Sequence, residues 1–139
     1  MRRTAATSPF QAAWEATQEA DLAAARSAVL AHDFAVLAEV AEHSCLKMHA
    51  LALAARPGLL YWNGATVACM QRVRELRDAG VPVFFTVDAG PQLKAVCLPG
   101  AQAEVATALG AVPGVLEVIT CGLGAGARLV AGDRGEPGA

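Results

Sequence analysis

The run Phe84-Phe85-Thr86-Val87-Asp88-Ala89-Gly90-Pro91-Gln92 carries an apolar, β-branched stretch into a carboxylate, then into a glycine and a proline. Side chains alternate across a strand, so Asp88 is expected on the face of Thr86 and Phe84, beside apolar surface, with Gly90 leaving room for a ligand. Burial there disfavours the ionised form unless a cation or hydrogen-bond donors compensate. A carboxylate held this way can accept the proton of a ligand hydroxyl or orient that hydroxyl. On spacing alone the plainer reading is a turn aspartate that caps Ala89-Gly90.

His49 is the second candidate. Its helical neighbours Cys45, Leu46, Ala52 and Leu53 are apolar, so a histidine there needs a hydrogen-bond partner and reads first as a satisfied core residue. His43 points to another side of the same helix and is assigned no role. Gly122-Leu123-Gly124-Ala125-Gly126 resembles a phosphate loop only in composition, because no helix-forming segment follows it. It reads as a glycine-rich turn between strands. Cys45, Cys69, Cys97 and Cys121 include no C-x-x-C pair, so they read as free thiols in a reducing compartment and no metal site is expected.

These residues need a frame. The chain has 139 residues, enough for one domain with a sizeable core. It is 55% hydrophobic, much of that alanine, with 5% aromatic and 17% charged residues, which describes a helix-leaning globular chain. A net charge of −2 gives no basic footprint for nucleic acid or an anionic membrane surface. No run approaches the ~20 apolar residues of a membrane span, and Met1-Arg2-Arg3 leads into no apolar segment, so the expected location is the cytoplasm.

Ser8-Pro9 before Phe10 predicts an N-cap followed by proline at the first helical position, opening a helix through about Glu19, with another after Asp21. Phe34, Leu37, Ala41, Cys45, Met48, Ala52 and Ala55 recur at steps of three and four, a core-facing stripe along a helix that opens at Asp33 and ends before Pro57-Gly58. Asn63 caps a further helix with Val67, Met70, Val73 and Leu76 inward, ending at Gly80. Residues 83–87 and 93–98 read as two strands that pair antiparallel, followed by a helix to about Gly110. Residues 115–120 and 127–130 are expected as a third and a fourth strand, and residues 131–139 as a disordered polar tail.

The segment Asp88-Ala89-Gly90-Pro91-Gln92 closely resembles the D-A-G-P-N signature of the diphosphomevalonate decarboxylases, which belong with galactokinase, homoserine kinase, mevalonate kinase and phosphomevalonate kinase. The stretch from Arg3 to Trp14 is similar to the family's entry into its C-terminal domain. Lys47-Met48-His49-Ala50, Ala55-Arg56-Pro57 and Leu60-Tyr61-Trp62-Asn63 are similar to its long helix and following turn. The resemblance covers nearly all of residues 2–130.

The resemblance implies an α+β fold, a helical N-terminal half on a small antiparallel sheet. This is the superfamily's ferredoxin-like C-terminal domain over residues 1–130, without its first strand and without the N-terminal ATP-binding domain. It implies an enzyme that uses ATP and Mg2+ to phosphorylate the tertiary hydroxyl of mevalonate diphosphate, then releases phosphate and carbon dioxide to form isopentenyl diphosphate. Asp88 corresponds to the active-site aspartate near that hydroxyl. Met48 and His49 lie on the helix beside the cleft, and Ala89 and Gly90 shape the turn that contacts substrate.

Gln92 departs from the family's asparagine and leaves the support given by that amide in doubt. Without a phosphate cradle the chain by itself is expected to bind neither ATP nor metal and to be inactive. Its expected partner is a missing N-terminal half or a second copy. Two other readings stand beside this one: a non-catalytic module that pairs through an unpaired sheet edge, and a related phosphomevalonate decarboxylase.

Overall fold

The computed structural model describes residues 2–129; the expected tail over 131–139 and the last residue of the expected fourth strand, Val130, lie outside the described residues. Helix α1 (Arg2–Thr7) is followed by the break at Ser8-Pro9-Phe10, and α2 runs unbroken over Gln11–Ala31. The predicted division near Asp21 is therefore corrected. The segment holds no glycine or proline, and Asp21 ion-pairs with Lys47 of the next helix instead of capping a new one. The N-cap also moves from Ser8 to Phe10, and Ser8 Oγ only accepts the Phe10 N–H, at 3.4 Å.

His32, at φ 56°, closes α2 in the left-handed region, and the Asp33 N–H reaches back to the Ala28 carbonyl at 2.9 Å. Asp33 then caps α3 (Phe34–Leu53) by accepting the Val36 N–H at 3.0 Å. With two residues between them, α2 and α3 must fold back on each other as an antiparallel pair. Asn63 opens α4 (Gly64–Asp78) with a reciprocal capping box to Thr66, and Gly80 at φ 91° turns the chain into the sheet.

Strand β1 (Val83–Thr86) pairs antiparallel with β2 (Lys94–Cys97) in the register Val83 to Cys97 and Thr86 to Lys94. A 3-10 turn over Pro99–Ala101 leads into α5 (Gln102–Gly110). The core lies between α3, α4, α5 and the inner face of β1, with Val73, Val83 and Phe85 fully buried. The architecture is α+β as expected, but the described sheet has two strands where three or four were predicted. Residues 115–120 and 127–129 form no strand. Val115 and Val118 pack on the core, yet Leu116 and Ile119 stand in solvent. Strand propensity depends on context, and here it produces no ladder.

The edge of β1 that faces away from β2 is closed by a helix. Glu42, Cys45 and His49 recur on α3 at i, i+3 and i+7, one stripe along the helix. Glu42 Oε1 accepts the Phe85 N–H at 3.2 Å, Cys45 Sγ accepts the Val87 N–H at 3.2 Å, and His49 Nε2 donates to the Val87 carbonyl at 3.0 Å. Glu42 is 5% exposed and is held in turn by Arg77 through two bonds of 2.6 and 3.2 Å, with Arg74 Nε 3.7 Å away.

By the alternation of an antiparallel ladder, Ala95 and Cys97 turn their main chain outward, so the other edge, that of β2, carries no strand among the described residues. Replacing Glu42 with Ala strands a buried N–H of β1 and uncouples α3, α4 and β1. We expect Glu42→Ala to lower the unfolding free energy in urea by about 2 kcal/mol; a loss below about 0.5 kcal/mol contradicts this account.

Candidate active site

Asp88 stands two residues past the end of β1, at the start of the loop that leads to β2. Its base is rigid. Val87 is 1% exposed, and its carbonyl accepts from His49 Nε2 and from the Cys45 thiol, 3.5 Å away. Because that carbonyl can only accept, His49 carries its proton on Nε2. The His49 ring also packs on Trp62, with centroids 4.6 Å apart and planes at 53°.

Trp62 in turn abuts Gly90. A Cβ on Gly90 would stand 3.4 Å from Trp62 Cδ1, 3.4 Å from Val87 Cγ1 and 3.0 Å from the Tyr61 carbonyl oxygen, and its φ of +101° suits glycine. The far side of the turn is fastened by Thr66, whose hydroxyl donates to the Pro91 carbonyl at 2.7 Å.

The carboxylate itself is not buried against apolar surface as the alternation suggested. The Asp88 side chain is 83% exposed and forms an ion pair with Lys94 of β2, which is 58% exposed. The correction has a simple cause: Asp88 lies beyond the last laddered residue, so strand alternation no longer governs its direction. Of the other expected site residues, His49 is buried behind the turn, Met48 is half-buried on α3, Ala89 is exposed at the turn and Gly90 is half-buried against Trp62. Gln92 is exposed. His43 is exposed on another face of α3.

A Cβ built on Gly122, Gly124 or Gly126 would meet nothing within 4 Å, and these glycines have no flanking strands, so they are not the inter-strand turn that was expected. Three residues at this site escaped the sequence reading. Lys94 was legible as the cation facing Asp88 across a short hairpin. Trp62 lay within a quoted motif but carried no assigned contact. Thr66 stood out only as the third residue after a capping Asn63.

Burial pushes the Cys45 thiol above its ordinary value of 9.0, its bond to the Val87 backbone opposing this in part, and burial likewise raises the Cys69 thiol. The folded state therefore favours the neutral thiol. Its contribution to stability is fully present below the ordinary thiol value and is lost as pH rises through the raised one. Iodoacetamide at pH 8 is expected to label exposed Cys121 first and Cys45 and Cys69 last, read by peptide mass spectrometry; early labelling of Cys45 in folded protein contradicts the burial argument. Gly90→Ala is expected to cost about 1 to 3 kcal/mol of stability in thermal or urea unfolding; an unchanged midpoint contradicts the tight seat of Gly90.

The chain is similar to several characterised proteins. It is 38% identical over 66 residues to a phosphomevalonate decarboxylase of Haloferax volcanii, covering 47% of this chain and 20% of that protein. Among solved structures, the mevalonate diphosphate decarboxylase from Enterococcus faecalis shares 35% identity at a TM-score of 0.75, over 78% of this chain and 34% of that one. The Staphylococcus aureus mevalonate diphosphate decarboxylase shares 36% identity at a TM-score of 0.74, over 77% of this chain and 32% of that one. The chain thus spans about a third of the length of these solved relatives. Residues 1–121 match the family described as mevalonate 5-diphosphate decarboxylase C-terminal domain, and the chain belongs to that family.

Proposed function

We propose that residues 1–130 form the aspartate-bearing C-terminal domain of an ATP- and Mg2+-dependent diphosphomevalonate decarboxylase, which converts mevalonate diphosphate to isopentenyl diphosphate. The observation that carries this reading is the exposed carboxylate of Asp88, displayed on a turn that is anchored from behind at Val87, Gly90 and Pro91. A related solved chain, MDDEF, is bound to MVAPP, AMPPCP and magnesium, which supports the same ligands for the complete enzyme.

Among the described residues no three His, Cys, Asp or Glu side chains gather as a metal site, and Gly122, Gly124 and Gly126 lead into no helix. These residues do not fit a nucleotide or magnesium cradle. In this reading both are held by parts of the enzyme outside these 139 residues, and the chain on its own is inactive. The open edge of β2 suits pairing with that remaining part or with a second copy.

Within the complete site Asp88 accepts a hydrogen bond from the tertiary hydroxyl and takes its proton as the oxygen becomes nucleophilic. In a loose transition state this group is needed more for placement than for strong base strength. His49, Cys45 and Trp62 fix the main chain that carries Asp88, and Gly90 brings that turn close to Tyr61 and Trp62. Met48 and Ala89 line the approach from α3 and from the turn.

A second reading, decarboxylation of mevalonate monophosphate, is favoured by the similarity to the Haloferax phosphomevalonate decarboxylase. Discrimination by the second phosphate lies with groups outside this chain.

The test joins this chain to the ATP-binding two-thirds of a homologous decarboxylase. The joined enzyme is expected to release phosphate and carbon dioxide from mevalonate diphosphate, and the 139-residue chain alone to do neither. Asp88→Asn, which keeps size and turn-capping ability, is expected to lower kcat about 10²- to 10⁴-fold with little change in KM or thermal midpoint. An Asp88→Asn enzyme as fast as its parent refutes the role of Asp88, and turnover by the chain alone refutes the division of labour.

A further inference from the structure

The Asp88–Lys94 ion pair has no structural task that accounts for it. Both side chains lie mostly in water, where such a pair contributes little to stability. Both backbones, by contrast, are fixed: Lys94 is in register with Thr86 on the ladder, and Val87 is gripped by Cys45 and His49. Lys94 holds Oδ2 of Asp88, while Oδ1 has no hydrogen-bond partner among the described residues. Without Lys94 nothing else described restrains the carboxylate, which would rotate freely about its side-chain torsions.

Resting on the function proposed above, we infer that Lys94 is a positioning residue: by engaging Oδ2 it presents Oδ1 of Asp88 to the ligand hydroxyl. An ammonium offers three donors, and one suffices for this contact. As the site is covered and water leaves, the pair strengthens, because the same charges attract more in a less polar medium. Lys94 thus acts through Asp88 and leaves the binding of substrate to other groups.

The joined enzyme provides the kinetic test. Lys94→Met is expected to lower kcat about 10- to 100-fold, the scale of misplacing a reacting group, while KM and the thermal midpoint stay close to those of the parent. Lys94→Arg, which keeps the charge and the hydrogen bond, is expected to recover most of the loss. A Lys94→Met enzyme within about twofold of its parent, or a Lys94→Arg enzyme as slow as Lys94→Met, overturns the inference.

A joined enzyme with no decarboxylase activity sinks the proposed function instead. The pair is then decided in the 139-residue chain by nitrogen NMR of the lysine ammonium groups. Asp88→Asn should shift the Lys94 Nζ resonance, and a resonance that does not move overturns the contact on which the inference stands.

Discussion

A strand at the edge of a sheet leaves a row of main-chain donors and acceptors that must find partners. In this chain side chains of one helix serve as partners to Phe85 of β1 and to Val87 just beyond it. Glu42, Cys45 and His49, spaced along one stripe of α3, meet the Phe85 and Val87 main chain in the way a neighbouring strand would. The substitution is demanding, because it places a carboxylate in the interior, and such a charge is tolerated only when it is neutralised and hydrogen-bonded. Arg77 from α4 meets that requirement with two bonds, and Arg74 stacks near the Phe85 ring, 5.6 Å from its centroid. Three consecutive elements, α3, α4 and β1, are thereby tied at one point.

The consequence for the site is a gradient of rigidity over a few residues. Val87 is immobilised on both its N–H and its carbonyl, Gly90 is wedged against Tyr61 and Trp62, and Pro91 is fastened by Thr66. Between these anchors the Asp88 carboxylate projects into solvent. Such a carboxylate does little for the fold, since its one described contact is an exposed ion pair. In the proposed function that exposure lets it meet a ligand held by the rest of the enzyme. Leu116 and Ile119 also face solvent, and the outer edge of β2 carries no strand among the described residues.

Much of this was legible before any coordinates. The stripe of apolar residues after Asp33, the capping Asn63, the strand after Gly80 and the hairpin around Gly90-Pro91 are local signals, and the elements lie where those signals put them. The failures were of two kinds. Asp21 looked like a helix start because aspartate favours N-caps, but a long-range pair with Lys47 let it stay inside α2. Residues 115–120 looked like a strand because β-branched residues favour strands, but that preference depends on context, and here Val115 and Val118 pack on the core without joining a ladder.

Sequence by itself determined the family, through the combined Asp-Ala-Gly-Pro and Lys-Met-His-Ala motifs, the helical first half and the β1–β2 hairpin. These follow from periodicity, turn chemistry and motif identity, all of which are local in the chain. Only the tertiary structure decided that Glu42, Cys45 and His49 act together as a surrogate strand edge, that Trp62 seats Gly90, and that Asp88 faces solvent with Lys94 on one of its oxygens. The contacts of α3 with β1 and of Trp62 with Gly90 join residues whose separation along the chain carries no periodic signal, and the Asp88–Lys94 pair depends on side-chain directions that the hairpin alone does not set. Their partners become known once the helices and the hairpin have packed.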